Sequence, residues 1–287
     1  MTVTTTRARL DAELVRRGLA RSRGHAASLL AAGRVRVDGA TASRAATAVE
    51  PDQTVTVDVD PADRGYASRA AHKLADALDA FGSLGPDPAG RTCLDAGAST
   101  GGFTDVLLRR GARRVVAVDV GHGQLVDRLR DDPRVEVREH VNVRDLVAGD
   151  VAPAPGLVVA DLSFISLTLV VAPLLAVAAP GADLVLLVKP QFEVGRERLG
   201  SQGVVRDPRL WHDALTGVVT CARDAGAVVR DVRPSTLPGA HGNVEFVLWL
   251  RAGADGAGPV AEPVPEIDVQ QAVADAVDRA RRAGESS

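Results

Sequence analysis

Lysine is nearly missing from this sequence. Of the 34 basic residues in 287, 32 are arginine and only Lys73 and Lys189 are lysine. Wherever a plain surface cation suffices the chain uses Arg, so the two lysines mark positions that need an amine. Lys carries a compact amine able to lose its proton, and Arg a planar fork that stays charged. Cysteine is just as scarce. Cys93 and Cys221 cannot build a disulfide framework or a four-ligand zinc site, which fits a reducing cytoplasm. The six histidines show no metal-ligand spacing, so no metal is expected, and His72 and His241 read as structural or solvated. The first ten residues hold Arg7 and Arg9 but no apolar stretch, so a cleaved secretory signal is not supported.

What is present is globular in composition, with 46% hydrophobic and 25% charged residues. The length suits one large domain with a small appendage. Charge divides the same way. Residues 7–47 carry nine arginines against Asp11, Glu13 and Asp38, a net of +6, which leaves −9 elsewhere in a chain of net charge −3. A basic head on an acidic body suits a nucleic-acid-binding module joined to a separate domain. In the head, Leu10, Leu14, Val15 and Leu19 recur at helical spacing until Gly18 interrupts, and Ser22 is placed to cap a second helix through Ala26, Leu29 and Leu30. Residues 34–39 and 54–59 alternate as short strands.

Residues 61–66 read as a linker, and Ala70, Leu74, Ala77, Leu78 and Phe81 form the buried stripe of a following helix, with Lys73 at its edge. Thereafter strands at 92–98, 114–120 and 135–137 alternate with helices at 103–109 and 125–130, predicting an α/β doubly wound, Rossmann-like parallel sheet beside a small α+β head. Leu162 to Ala182 is a run of 21 uncharged residues. Pro173 and Pro180-Gly181 interrupt it, so a buried helix leading into a central strand is expected, not a membrane span. Trp211 and Trp249 read as core, and residues 195–206, with Arg196 and Arg198, as a basic surface loop.

The segment Asp95-Ala96-Gly97-Ala98-Ser99-Thr100-Gly101-Gly102 leaves a strand, turns on glycines and enters a helix. Its D-x-G-x-x-x-G-G spacing lacks the pyrophosphate grip of G-x-G-x-x-G, so a nucleoside cofactor without phosphate fits better. S-adenosylmethionine has that form, with Gly97 and Gly101 admitting close backbone approach and Asp95 placed to face the cationic end. Asp119, closing the next strand, suits both ribose hydroxyls, and Asn142, after the third strand, is expected to reach the adenine.

Asp161 in VVADLSF, Lys189 in LVLLVKPQF and Glu245 in GNVEFVLWL each sit in or after an apolar run. At the carboxyl ends of parallel strands such charges line the ligand crevice, where they must pair or incur a large desolvation cost. With Lys73 they make a set of two acids and two amines. A weak hydroxyl nucleophile needs a group to take or orient its proton, and Lys189 is the candidate.

These motifs resemble a known family over nearly the whole chain. LVRRGLARSRGHAASLLAAGRVRVDG is similar to the alpha-L RNA-binding domain of a small-subunit ribosomal protein, and GASTGGFTDVLL, VVADLSFISL, LVKPQFEVG and GNVEFVLWL resemble the TlyA-type ribosomal RNA ribose methyltransferases, relatives of the FtsJ class. The resemblance implies an RNA-binding domain over 7–60 using Arg16, Arg17, Arg21, Arg23, Arg34 and Arg36. It implies an FtsJ-like methyltransferase domain over 67–251, a linker at 252–265 and a C-terminal helix over 266–287. It further implies S-adenosylmethionine as cofactor, ribosomal RNA in ribosomal subunits as partner, methylation of a cytidine 2′-hydroxyl, and a catalytic tetrad of Lys73, Asp161, Lys189 and Glu245. The family is also described as haemolysins. A membrane-active protein would use the uncharged run but lacks a second span, and a noncatalytic RNA-binding assembly factor would not need Lys189.

Overall fold

In the computed structural model, which describes residues 7–20, 23–58, 65–200, 203–253 and 268–285, the chain divides into two units, Met1–Tyr66 and Ala67–Ser287. The first contains β1 (Ala8–Arg9), α1 (Leu10–Arg16), α2 (Arg23–Ala31), β2 (Val35–Val37), β3 (Ala40–Ala42), β4 (Ala48–Val49) and β5 (Val55–Val57). Asp38-Gly39, both with positive φ, form the two-residue turn that folds β3 back onto β2 with Val37 opposite Ala40. Three antiparallel strands in the order β3-β2-β5, and a separate β1-β4 pair, pack with the two helices around Leu10, Leu14, Leu29, Leu30 and Val35. Both expected helices and both alternating strands are present. β1, β3 and β4 have no counterpart among the sequence expectations, because they are built largely on alanine, a weak strand former, whereas β2 and β5 each hold two valines. Ser22 and Arg21, the expected cap and one RNA-binding candidate, lie outside the described residues, as do linker positions 61–64.

The second unit runs α3 (Ala70–Phe81), β6 (Thr92–Ala96), α4 (Gly102–Arg109), β7 (Arg114–Val118), α5 (Asp127–Arg130), β8 (Val135–Arg138), β9 (Leu157–Ala160), α6 (Val171–Val177), β10 (Asp183–Val188), α7 (Pro190–Glu193), α8 (Pro208–Asp224), β11 (Val228–Pro234), β12 (Phe246–Arg251) and α9 (Val269–Glu285). Seven strands form one sheet in the order β11-β12-β10-β9-β6-β7-β8. β10, β9, β6, β7 and β8 are parallel, and β12 runs antiparallel to both its neighbours. The chain winds outward from β6 to β8, then returns to β9 on the other side of β6. That reversal opens a crevice at the carboxyl ends of β6 and β9, the place where doubly wound sheets bind ligands.

The uncharged run divides into a loop, a 3-10 turn at Leu167–Leu169 and the seven-residue α6, followed by β10, whose six residues are all buried between β9 and β12. Seven helical residues extend only about 10 Å. Among the described residues no helix is long and apolar enough to cross a membrane. Trp211 and Trp249 are buried, their ring N–H groups donating to Val205 O and Asp183 Oδ1. α9 packs on α8 and β11 through Val273, Ala276, Val277 and Ala280, so the C-terminal helix belongs to this unit.

Candidate active site

The loop after β6 is shaped by contacts that leave no space for side chains. Gly97 has φ +86°, and a Cβ there would lie 2.8 Å from the Asp161 carbonyl oxygen. Gly101, with φ +94°, caps α4, and its Cβ would sit 2.4 Å from a methyl of Leu129. Gly97, Ala98, Ser99, Thr100 and Gly102 line one side of a cavity of about 330 Å³, and Asp161, Ser163, Lys189 and Arg69 line the other. Asp119 closes β7, where its carboxylate accepts the Ser99 N–H at 2.8 Å and the Gly121 N–H at 2.7 Å. Asn142 is exposed after β8, its Oδ1 accepting the Arg144 N–H at 3.1 Å.

Asp95 is placed differently from its sequence expectation. It lies within a fully buried central strand, outside the cavity lining, with no exposed surface. Thr104 Oγ1 donates to its Oδ2 at 2.6 Å while Oδ1 is buried with no hydrogen-bond partner. Burial pushes its carboxyl up to about 7. Asp95 therefore supports the loop from beneath instead of facing a ligand.

The four tetrad residues form two ion pairs at neighbouring strand ends. Lys189 follows β10 in extended conformation, and its Nζ lies 2.6 Å from Asp161 Oδ1 and 3.1 Å from Ser163 Oγ. Lys73 Nζ on α3 lies 2.5 Å from Glu245 Oε2. Val188 pairs with Phe246 in the β10–β12 ladder, so the next register position sets Lys189 opposite Glu245 and brings the pairs side by side. Lys73, Lys189 and Glu245 are all less than 10% exposed, and charges so buried must be paired, as these are. The loop before β12 seals Glu245: a Cβ at Gly239 would fall 2.0 Å from Oε1. Ser163 is absent from the sequence-predicted set, although its place two residues after Asp161 is a usable signal.

Beside the amine lies a second cavity of about 450 Å³ bounded by Phe164, Gln191, Phe192, Arg196 and Asn243. Phe164 is 91% exposed, and the Phe192 ring centre lies 5.9 Å from Lys189 Nζ. The basic loop is anchored at its far end, where Asn243 Oδ1 accepts the Val205 N–H. Among the described residues no three His, Cys, Asp or Glu side chains gather as metal ligands would.

In the first unit the candidate arginines separate into two groups. Arg16 and Arg23 are mostly exposed while pairing with Glu13 and Asp11, and Arg36 pairs with Asp58. Arg34 donates to the Asp58 carbonyl. Arg17 is largely buried and fully engaged: it bonds Glu13 and the carbonyls of Glu50, Pro51 and Gln53, so it clamps the fold rather than presenting a cation.

Comparison with known proteins agrees with this geometry. The FtsJ-like methyltransferase family model matches residues 66–252, and the S4 domain model matches residues 8–55. The chain is 54% identical over 251 residues to the "16S/23S rRNA (cytidine-2'-O)-methyltransferase TlyA" of Mycobacterium tuberculosis, covering 88% of this chain and 92% of the relative. It is 36% identical over 243 residues to "Hemolysin A" of Brachyspira hyodysenteriae, covering 83% and 98%. The solved structure "Putative hemolysin from Streptococcus thermophilus" superposes with a TM-score of 0.72 at 32% identity, covering 99% of this chain and 100% of that one. The Lys189–Asp161 pair thus lines the crevice of a methyltransferase fold, and the chain belongs to the FtsJ-like methyltransferase family, with an S4 domain at its amino-terminal end.

Proposed function

We propose that this chain transfers a methyl group from S-adenosylmethionine to the 2′-hydroxyl of a cytidine in ribosomal RNA, acting on ribosomal subunits in the cytoplasm. The observation that carries the reading is the Lys189–Asp161 pair in the wall of the glycine-loop cavity. That cavity fits the cofactor, since tight packing around Gly97 and Gly102 keeps its loop wall as bare backbone and its volume lies in the range of small-molecule sites. The backbone of Gly97 to Gly102 would hold the methionine end, Asp119 the ribose and Asn142 the adenine. When bound, S-adenosylmethionine supplies an electrophilic methyl carried on a sulfonium.

The residues handle the hydroxyl. As an ammonium, Lys189 Nζ donates to the ribose oxygen and fixes its direction; as a neutral amine it accepts the hydroxyl proton. Asp161 and Ser163 keep that nitrogen in place in either form. Lys73 and Glu245 complete the charge balance of the buried cluster. Phe164 offers an exposed aromatic face to a nucleobase turned out of its stack.

The test uses purified chain, tritiated S-adenosylmethionine and isolated small and large ribosomal subunits lacking the modification. Label recovered in 2′-O-methylcytidine after nuclease digestion supports the reading, and absence of label from both subunits rejects it. A noncatalytic assembly factor would bind subunits without labelling them. A membrane-active protein would lyse erythrocytes undiminished by Lys189→Ala.

A further inference from the structure

Phe164 holds φ +64°, a left-handed backbone that costs an L residue roughly 1–2 kcal/mol and persists only where neighbours impose it. Its ring is almost fully exposed, so side-chain burial is not what imposes it. Hydrogen bonds on either side do. Upstream, Asp161 and Ser163 are held by Lys189 Nζ. Downstream, Glu193 accepts the Leu167 N–H at 2.9 Å and the Ser166 hydroxyl at 2.5 Å. Lys189 caps α7 and Glu193 ends it, so a single helical turn grips loop 161–167 at both ends. Glu193 is a partly buried acid whose pKa burial raises, and it stands outside the tetrad.

Resting on the methyl-transfer reading, we infer that Glu193 is a positioning residue: it holds loop 161–167 in the strained form that keeps Asp161 and Ser163 against the Lys189 amine. A misplacement of about 1 Å can cost on the order of 100-fold in rate without touching the chemistry directly.

The experiment measures methylation of isolated ribosomal subunits by the full chain, cofactor affinity by calorimetry, and hydrogen exchange at the Leu167 amide. Glu193→Ala is expected to lower kcat roughly 10- to 100-fold, leave cofactor Kd within about twofold, and unprotect the Leu167 amide. Glu193→Gln, which keeps one acceptor, should fall between that variant and the wild type. Ser166→Ala should lower kcat as well, yet add little in the Glu193→Ala background, because the Ser166 hydroxyl acts through its bond to Glu193. Wild-type kcat in Glu193→Ala overturns the inference, as does wild-type kcat in both Glu193→Gln and Ser166→Ala should the alanine variant not fold. Matched losses of kcat and cofactor affinity, or full additivity in the double variant, overturn it too. A wild-type chain that labels no subunit removes the methyl-transfer reading and the inference with it, whereas an active wild type beside an equally active Glu193→Ala removes the inference alone.

Discussion

Lys189→Arg separates charge from amine chemistry. The substitution keeps a cation beside Asp161 but removes a nitrogen able to give up its proton and replaces a compact head with a wide fork. Methylation should drop roughly 100-fold or more, with cofactor affinity within about twofold. Near-normal kcat in this variant would reduce Lys189 to a counter-ion. Asp95 gives a second prediction at this scale. Its folded pKa of about 7 lies above the unfolded value near 4, so the folded state holds the proton more tightly. The associated stability is complete below about pH 4 and is lost as pH rises through about 7, a difference on the order of 4 kcal/mol. Asp95→Asn keeps an acceptor for Thr104 and removes the titration. The variant should therefore melt close to wild type at pH 4 and above it at pH 8. Equal displacement of the two melting curves at both values would contradict this account.

At the scale of elements, the head is held by acids that carry more than one arginine. Asp11 binds Arg9 and Arg23, and Glu13 binds Arg16 and Arg17, which holds both carboxyls down at about 2. With depressed folded values, their contribution is present above about pH 4 and is lost as pH falls toward 2. The first unit should thus unfold in acid earlier in Glu13→Gln than in wild type, as tracked by Leu14 amide exchange. Arg17→Ala should destabilise it as well, since three carbonyls lose their donor. Unchanged exchange in Arg17→Ala would return that residue to the surface set. Elements differ in how readily they can be read. α3, β6, β7 and β10 are legible because a buried stripe or an unbroken apolar run leaves a long periodic trace. The 17-residue α8 escaped the sequence reading even though Asp207-Pro208 signals its start and Trp211, Leu215, Val218, Val219 and Ala222 lie on one face. Asp161, Lys189 and Glu245 are legible because charged residues at the ends of apolar strands are conspicuous, and Lys73, on α3, because lysine is so scarce. Which amine meets which acid is not, nor are Glu193 or the burial of Asp95, because hydrogen-bond partners in loops follow no period.

For the whole molecule, segregated charge separates RNA binding from chemistry. Residues 7–47 carry +6, and the first unit as a whole is +2 against −5 for the second, so long-range attraction to phosphate favours the first unit. Arg16, Arg23 and Arg36 are the exposed members whose loss the head tolerates best, because Glu13 keeps Arg17 and Asp11 keeps Arg9. Replacing all three with Gln should weaken subunit binding and make the slope of log affinity against log salt shallower by about 2 to 3, at roughly 0.7 to 0.9 for each phosphate that is no longer neutralised. Cofactor affinity should stay at the wild-type value, since no cofactor candidate lies in the first unit. Lys189→Arg should show the converse, with the wild-type salt slope and no turnover. Loss of cofactor affinity in the triple variant would mean that the basic head also governs the methyltransferase crevice. An unaltered slope would mean that these arginines serve only their own acids.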